Sequence, residues 1–367
     1  MSLTDREAYI ALNVMDRVGP VRVRAMAEAL GSVSAIFAAS AQELQQIDGV
    51  GPVLARAVVA QRERIDPVQE ESDALAKGVQ IVTPLDPEYP AALLTIHDPP
   101  LALYVRGHLR AGDAQSIAVV GTRHPTHYGV ECAQKLSFGV AKAGLCVVSG
   151  LALGVDTAAH EGALQARGRT IAVIGGGFDH LYPVENVRLA ERIAENGAVI
   201  SEFPFARKPD RTTFPMRNRI VSGMSRGVLV VEAGQESGAM ITANQAMEQG
   251  RSVFAVPGRI DSYASRGPNA LIRDGAHVVT ELRDLLEHFE MLFPEQCEAA
   301  VKQGYCASGL SEEERRVVAL LGGGDMSVDR LIRESGIAPA GMASLLIGLE
   351  LKKVIKMLPG RSVALLH

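Results

Sequence analysis

Between Phe203 and Leu229 the chain carries six basic residues, Arg207, Lys208, Arg211, Arg217, Arg219 and Arg226, against one acidic residue, Asp210, in a protein of net charge −5. A planar guanidinium matches a phosphate oxyanion through two parallel hydrogen bonds, and Asn218 between two arginines adds donors and acceptors for a base or a sugar. An isolated arginine more often neutralises an internal carboxylate, but six in one segment favour a polyanion site. A second set has the residue types for acid–base chemistry. Asp156, His160, Glu202 and Glu232 stand at or just beyond the ends of apolar runs, where a carboxylate or imidazole can move a proton. Each also has a structural explanation. Asp156 and His160 are one turn apart at the start of a helical stretch, and Glu202 and Glu232 can hold arginines of the patch in place. Binding is the leading expectation. A nucleotide-processing hydrolase on the same edge is the alternative.

The elements that must position these residues are short. From Ser116 to Leu286 a unit repeats: an apolar run, a glycine turn, an amphipathic stretch. The runs begin at Ile117, Leu145, Thr170, Ala198, Val228, Ser252 and His277, with 15 to 30 residues between most neighbours. Uniformly apolar runs of this length are strands buried on both faces, so the expected fold class is α/β, a Rossmann-like, mostly parallel sheet of about seven strands between helices. Glycine and polar residues follow nearly every run: Gly121-Thr122-Arg123, Ser149-Gly150, Gly175-Gly176-Gly177, Ser201-Glu202, Glu232-Ala233-Gly234 and Pro257-Gly258-Arg259. In an open parallel sheet the ligand crevice lies outside the carboxyl ends of the strands, where strand order reverses. The glycine turns are therefore expected to line one crest, with backbone amides and helix N-termini turned toward an anion.

At 367 residues two or three domains are expected. Residues 1–67 read as short helices. Within them Leu44 to Gly51, followed by Ala55 and Val58, matches a helix-hairpin-helix pattern, equally consistent with phosphate contact and with a packing turn. Proline density makes 68–110 an extended connector ending in a strand that packs on the core, which spans 111–294. A polar linker, 295–310, leads to 311–367, where helix, helix-turn-helix and hairpin follow in the order of a winged helix. Its presumed recognition helix opens Pro339-Ala-Gly-Met-Ala-Ser344, without Arg, Asn or Gln to read bases, which suits protein contact or weak backbone binding.

No run of about 18 apolar residues occurs, and Met1–Val14 carries Asp5, Arg6 and Glu7, so a soluble cytoplasmic protein with no membrane contact is expected. The four cysteines, Cys132, Cys146, Cys297 and Cys306, have no paired spacing and read as ordinary thiols, with neither zinc nor disulfides. No cofactor is expected either. The first turn, Gly121-Thr-Arg-His-Pro125, lacks the G-x-G-x-x-G spacing of a dinucleotide site, and the G-x-x-x-x-G-K-[ST] phosphate loop is absent. Aromatic residues near the crest are Phe178, Tyr182, Phe203 and Phe214, and each reads as core before platform.

Taken in order, Val120-Gly-Thr-Arg123, Ser149-Gly-Leu-Ala152, Gly154-Val-Asp156, Tyr182-Pro183, Phe214-Pro-Met-Arg-Asn-Arg219, Ser237-Gly-Ala239, Val256-Pro-Gly258 and Gly267-Pro-Asn269 resemble the DNA-processing protein A (DprA/Smf) family over about 160 residues. The resemblance implies a bacterial homodimer that binds single-stranded DNA, protects incoming strands in natural transformation and loads RecA recombinase, with no established reaction. It places the strand-binding pocket on Gly121, Arg123, Ser149, Gly150, Gly175, Gly176, Gly177, Phe178, Arg217, Asn218 and Arg219. Lys208 joins them from the cationic segment. Val155 and Ala206 depart conservatively from the family's habit. Ala270 stands where an arginine usually follows the asparagine, which removes one phosphate contact.

Overall fold

The computed structural model describes residues 3–292, 312–321, 326–338, 341–342, 345–346, 349, 355–358 and 362–365. Nine strands form one sheet: β1 (Gln80–Val82), β2 (Leu103–Gly107), β3 (Ser116–Val120), β4 (Cys146–Ser149), β5 (Thr170–Val173), β6 (Ala198–Ser201), β7 (Gly227–Val230), β8 (Ser252–Ala255) and β9 (His277–Val278). Their spatial order is β1-β2-β6-β5-β4-β3-β7-β8-β9. From β6 through β9 all pairs are parallel. These are the seven strands expected from the apolar runs.

The connector reading of 68–110 needs correction. β2 pairs antiparallel with β6 and β1 with β2, so this segment extends the core sheet. It also begins within a helix, Pro67–Ala76, whose N-terminus Asp66 caps through the amides of Val68 and Gln69. The prolines fall between these elements and leave the strands free to pair.

Every residue of β3 to β7 is buried. Alternation divides them between two layers. Ala118, Val120, Val148, Ile171 and Val230 pack with Ile220, Val221, Ala243 and Ala246 on one face. Ile117, Val119, Val147 and Leu229 pack with Ala133, Val140, Ala159 and Ala163 on the other. Burial on both faces is what made these strands continuous apolar runs.

The N-terminal helices, Asp5–Val14, Pro20–Leu30, Ala35–Ala38, Ala41–Gln45 and Pro52–Gln61, enclose their own core of Leu12, Met26, Ile36, Leu44, Ala55 and Val58. Thr4 with Glu7 and Ser40 with Glu43 form capping boxes at two of them. Ile10 reaches into the apolar cluster of the sheet domain, Asn13 Nδ2 donates to the Glu202 carbonyl at 3.0 Å, and Arg6 bridges Glu71 and Asp86. The helical domain and the sheet domain thus form one compact unit.

Residues 301–367 form the second unit. Its described part contains helices Glu312–Leu321 and Val328–Ser335 and a three-stranded antiparallel sheet of Met326–Ser327, Ser362–Leu365 and Ile355–Leu358, in that spatial order. Val317, Leu321, Leu331, Leu346, Ile355 and Val363 are its core. Gly336, in the left-handed conformation at φ 71°, stops the second helix, a position that favours glycine. The linker 295–310, the turn Pro359-Gly360-Arg361 and much of the presumed recognition helix lie outside the described residues.

Candidate nucleic-acid interface

The helix Thr213–Met224 connects β6 to β7, and to do so it crosses the face of the sheet in contact with β5, β4 and β3. It starts at the carboxyl edge and runs back to the amino edge, where β7 begins. Its first turns therefore hang over the strand ends, and they bring Phe214 and Arg217 to the turn after β4. Arg217 is only 6% exposed. A Cβ on Gly150 would collide with its guanidinium, so glycine at this position is what lets the side chain lie against the backbone.

Beneath this contact Asp156 accepts hydrogen bonds from the amides of Gly150 (3.1 Å) and Ala152 (3.3 Å). Burial pushes Asp156 up from the ordinary carboxylate range, against the opposing pull of Arg217 and of those amides. Burial likewise pushes Arg217 down, with Asp156 opposing and Arg123 adding to the shift. Arg217 Nε has no hydrogen-bond partner among the described residues. Burying this cation is costly, and Asp156 beneath it is the charge that offsets the cost.

Arg123 follows β3 and is exposed, with its guanidinium 5.1 Å from the Phe214 ring centroid. Arg123, Gly150, Leu153, Tyr182, Phe214 and Arg217 line a small cleft, together with Ala152 and Pro183. Its own free volume is only about 20 Å³, far below the roughly 300–1,000 Å³ of a small-molecule pocket, so it is a shallow surface cleft that encloses no ligand. Strand order reverses between β3 and β7, but the crevice there is closed: Thr122 N donates to the Glu232 carbonyl, and a Cβ on Gly121 would strike Val155. The cleft opens one strand further along, at the ends of β3 and β4.

Of the residues expected at the crest, Arg123, Gly150 and Arg217 are brought together, and Lys208 lies exposed on the loop after β6. The others have different duties. Ser149 Oγ donates to the Val119 carbonyl inside the sheet at 2.6 Å. Gly175 leaves room for Phe214, and Gly176 and Gly177 for the backbone of residues 204–209, so this turn serves close packing. Phe178 is buried against Phe205 with Arg106 over its ring. Asn218 donates to the Gly238 carbonyl at 3.2 Å.

Arg219 is turned inward, between Glu202 at 2.5 Å and Asp98 at 2.8 Å, and is 4% exposed. Two residues apart on a helix, Arg217 and Arg219 point about 200° apart, so one faces the cleft and the other the core. The cationic segment is divided in the same way. Arg207 pairs with Asp210, and Arg226 donates to Ser116 and Ala114 at the opposite, amino edge of the sheet.

The four acid–base candidates are scattered. Glu232 accepts from the amide (2.8 Å) and hydroxyl (2.6 Å) of Thr126, at the start of helix His127–Lys142. Glu202 holds Arg219, and Asp156 braces the turn after β4. His160 is fully buried on Thr170 Oγ1 at 2.7 Å, and burial, with Arg217 nearby, pushes its pKa down to about 3. Tyr182 and Phe214, which residue type alone assigns to the core, line the cleft instead, Tyr182 half exposed and Phe214 half-buried.

Among the described residues no cluster of three or more His, Cys, Asp or Glu side chains is placed to hold a metal, and no helix is long and apolar enough to cross a membrane.

Fold and cleft together define a mostly parallel-sheet α/β protein with a two-arginine cleft at its carboxyl edge, preceded in the chain by a helix-hairpin-helix domain and followed by a small winged-helix unit. The chain belongs to the DNA recombination-mediator protein A family, whose pattern it matches over residues 80–290. Residues 307–361 match the DprA winged helix domain and 11–64 a SAM-like helix-hairpin-helix tandem. It is 38% identical to protein Smf of Synechocystis over 78% of this chain and 73% of that one, and 41% identical to DNA processing protein DprA of Bacillus subtilis over 66% and 77%. The crystal structure of DprA from Streptococcus pneumoniae superposes with a TM-score of 0.66 at 36% identity, covering 78% of this chain and 98% of that one. DprA from Helicobacter pylori, described for its single-stranded DNA binding mode, superposes with a TM-score of 0.53 at 32% identity, covering 58% and 96%.

Proposed function

We propose that the protein is a single-stranded DNA binding recombination mediator, which holds the strand along the carboxyl edge of its sheet. The observation that carries this reading is the Arg217 guanidinium against Gly150, in a cleft shared with the exposed Arg123. A flexible phosphodiester chain can follow a stacking and cationic surface that a stiff duplex with paired bases cannot. Exposed Lys208 and Arg211, on the loop before the helix, extend the cationic track beyond it. The family resemblance and the single-strand binding of the Helicobacter pylori relative support the same reading. On that basis the protein protects incoming DNA in natural transformation and loads RecA recombinase, as a homodimer in the cytoplasm.

We hold it to be a binder without turnover. No observation favours the nucleotide-processing alternative, since Asp156, His160, Glu202 and Glu232 each have a structural partner and do not converge. Fluorescence polarisation with oligo-dT tests the binding reading. Arg123→Ala and Arg217→Ala should each weaken binding by about tenfold or more and lower the slope of log K against log salt by about 0.7 per lost phosphate contact. Unchanged affinity in both folded variants removes the site. Release of base or phosphate from nucleoside monophosphates would restore the enzyme.

A further inference from the structure

At the β9 end of the sheet, Leu282 and the fully buried Leu285 of helix Leu282–Leu292 join Phe254, Val256 and Val279 in one apolar cluster. Leu282 also fills the space that Gly139 leaves on helix His127–Lys142. Residues three apart on a helix share a face, so the next position of this stripe is His288. Its ring lies 5.1 Å from Phe254, edge to face, and 4.5 Å from His277 of β9, while its Nε2 is hydrogen-bonded with Ser252 Oγ at 2.7 Å. Phe254 and His277 are register partners between β8 and β9, with their rings 5.3 Å apart. Three rings thus hold the helix against an edge strand of two residues.

Two of these rings can gain a proton, and charging both sets two cations face to face beside a fully buried phenyl ring. The charged groups of the surrounding elements are engaged elsewhere. Asp284 accepts from the amides of Thr280 and Glu281, Arg283 pairs with Glu287, and Arg273 pairs with Asp274. Arg251, before β8, donates to the Gly223 carbonyl, and Lys142 lies over Phe138. Burial, with His277 adding to it, holds His288 below the ordinary imidazole range, so a released ring takes up a proton more readily than the docked one. The contact is therefore complete above about pH 6.5 and is lost as pH falls through the lower pKa of the docked ring.

We propose that the His277–His288 contact is a proton-operated latch, closed while both rings are neutral and opened when they are charged, which releases helix Leu282–Leu292 from β8 and β9. The rest of the sheet stays folded, because β3 to β7 are buried on both faces and the latch holds only the edge. The helix precedes the winged-helix unit in the chain, so its release adds eleven residues to the segment that tethers that unit.

Hydrogen exchange of the full chain, followed by mass spectrometry between about pH 7.5 and about pH 5.5 and corrected for the intrinsic pH dependence of exchange, reads the latch directly. Protection in helix Leu282–Leu292 should fall by up to about tenfold per pH unit for each proton taken up on opening, while β3 to β5 and helix His127–Lys142 keep theirs. His288→Phe keeps a ring against Phe254 that cannot be charged, so it should hold the helix closed across the whole range. His277→Gln removes the facing charge and should reduce the loss without abolishing it. Unchanged protection at low pH, a loss shared equally by helix His127–Lys142, or a loss that survives in His288→Phe overturns the latch. Should His288→Phe fail to fold, His288→Gln decides the same question, since it cannot be charged either and can still hydrogen-bond Ser252.

Discussion

Gly150→Ala isolates the contact on which the cleft depends, because it adds one methyl group and removes no charge. Gly150 does not have the positive φ that disfavours an L side chain, so the backbone accepts alanine without strain. The obstacle is the Arg217 guanidinium, which occupies the space a Cβ would need. Arg217 is pinned along its helix by buried neighbours, so the displaced group has to swing out of the cleft or push the helix start away from β4. Overpacking of this kind costs about 1–3 kcal/mol of stability.

For binding, the loss is one hydrogen bond between a charged donor and a phosphate, about 1.5–3 kcal/mol, or roughly a 10- to 150-fold weaker complex. The salt slope should fall by about 0.7, as for Arg217→Ala itself, because both changes delete the same phosphate contact. Polarisation titrations of oligo-dT at several salt concentrations, with stability checked by urea unfolding, measure both quantities. The double variant supplies the control. If the methyl acts only by displacing the arginine, adding Gly150→Ala to Arg217→Ala costs little further affinity. A folded Gly150→Ala protein with unaltered affinity and slope would refute the geometry outright.

Three further outcomes follow from the same neighbourhood. Arg219→Met strands Glu202 in the core without its partner and should destabilise the fold by about 3–5 kcal/mol in urea titration, yet leave the salt slope for oligo-dT unchanged; a lowered slope at full stability would place Arg219 on the DNA instead. His160, with its folded pKa depressed to about 3, is protonated more readily in the unfolded chain. Its contribution is therefore complete above about pH 6.5 and declines as pH falls toward 3, by about 2 kcal/mol at pH 5, so His160→Gln should flatten the melting-temperature profile between pH 7 and pH 4. Arg226→Ala, at the amino edge, should leave strand affinity within about twofold, whereas Lys208→Ala combined with Arg211→Ala should lower affinity and salt slope together in the same titration.

The parallel core was legible because burial on both faces removes polar residues from a strand, and that signature survives even in runs of four such as Cys146–Ser149. β1 was not legible, since three residues among prolines carry no period, and its pairing with β2 is decided by tertiary contact. Within the site, the residue types around Arg217 were sound guides, but the six cations were read as one patch because the segment was treated as a line. Once 213–224 is a helix, the hundred-degree step between neighbours separates Arg217 from Arg219 without any coordinates, one toward the strand ends and one toward Glu202.

The glycines show the opposite difficulty. Gly150 and Gly177 both lie in glycine turns after strands and are equally small, yet one makes room for a guanidinium and the other for the carbonyls of Pro204 and Phe205. What distinguishes them is which element crosses above, and that is set by the connection from β6 to β7 across three strands. The long crossover, more than any single turn, builds the two-arginine cleft at this edge of the sheet, since it carries an arginine from one side of the sheet to the ends of strands it does not adjoin in sequence.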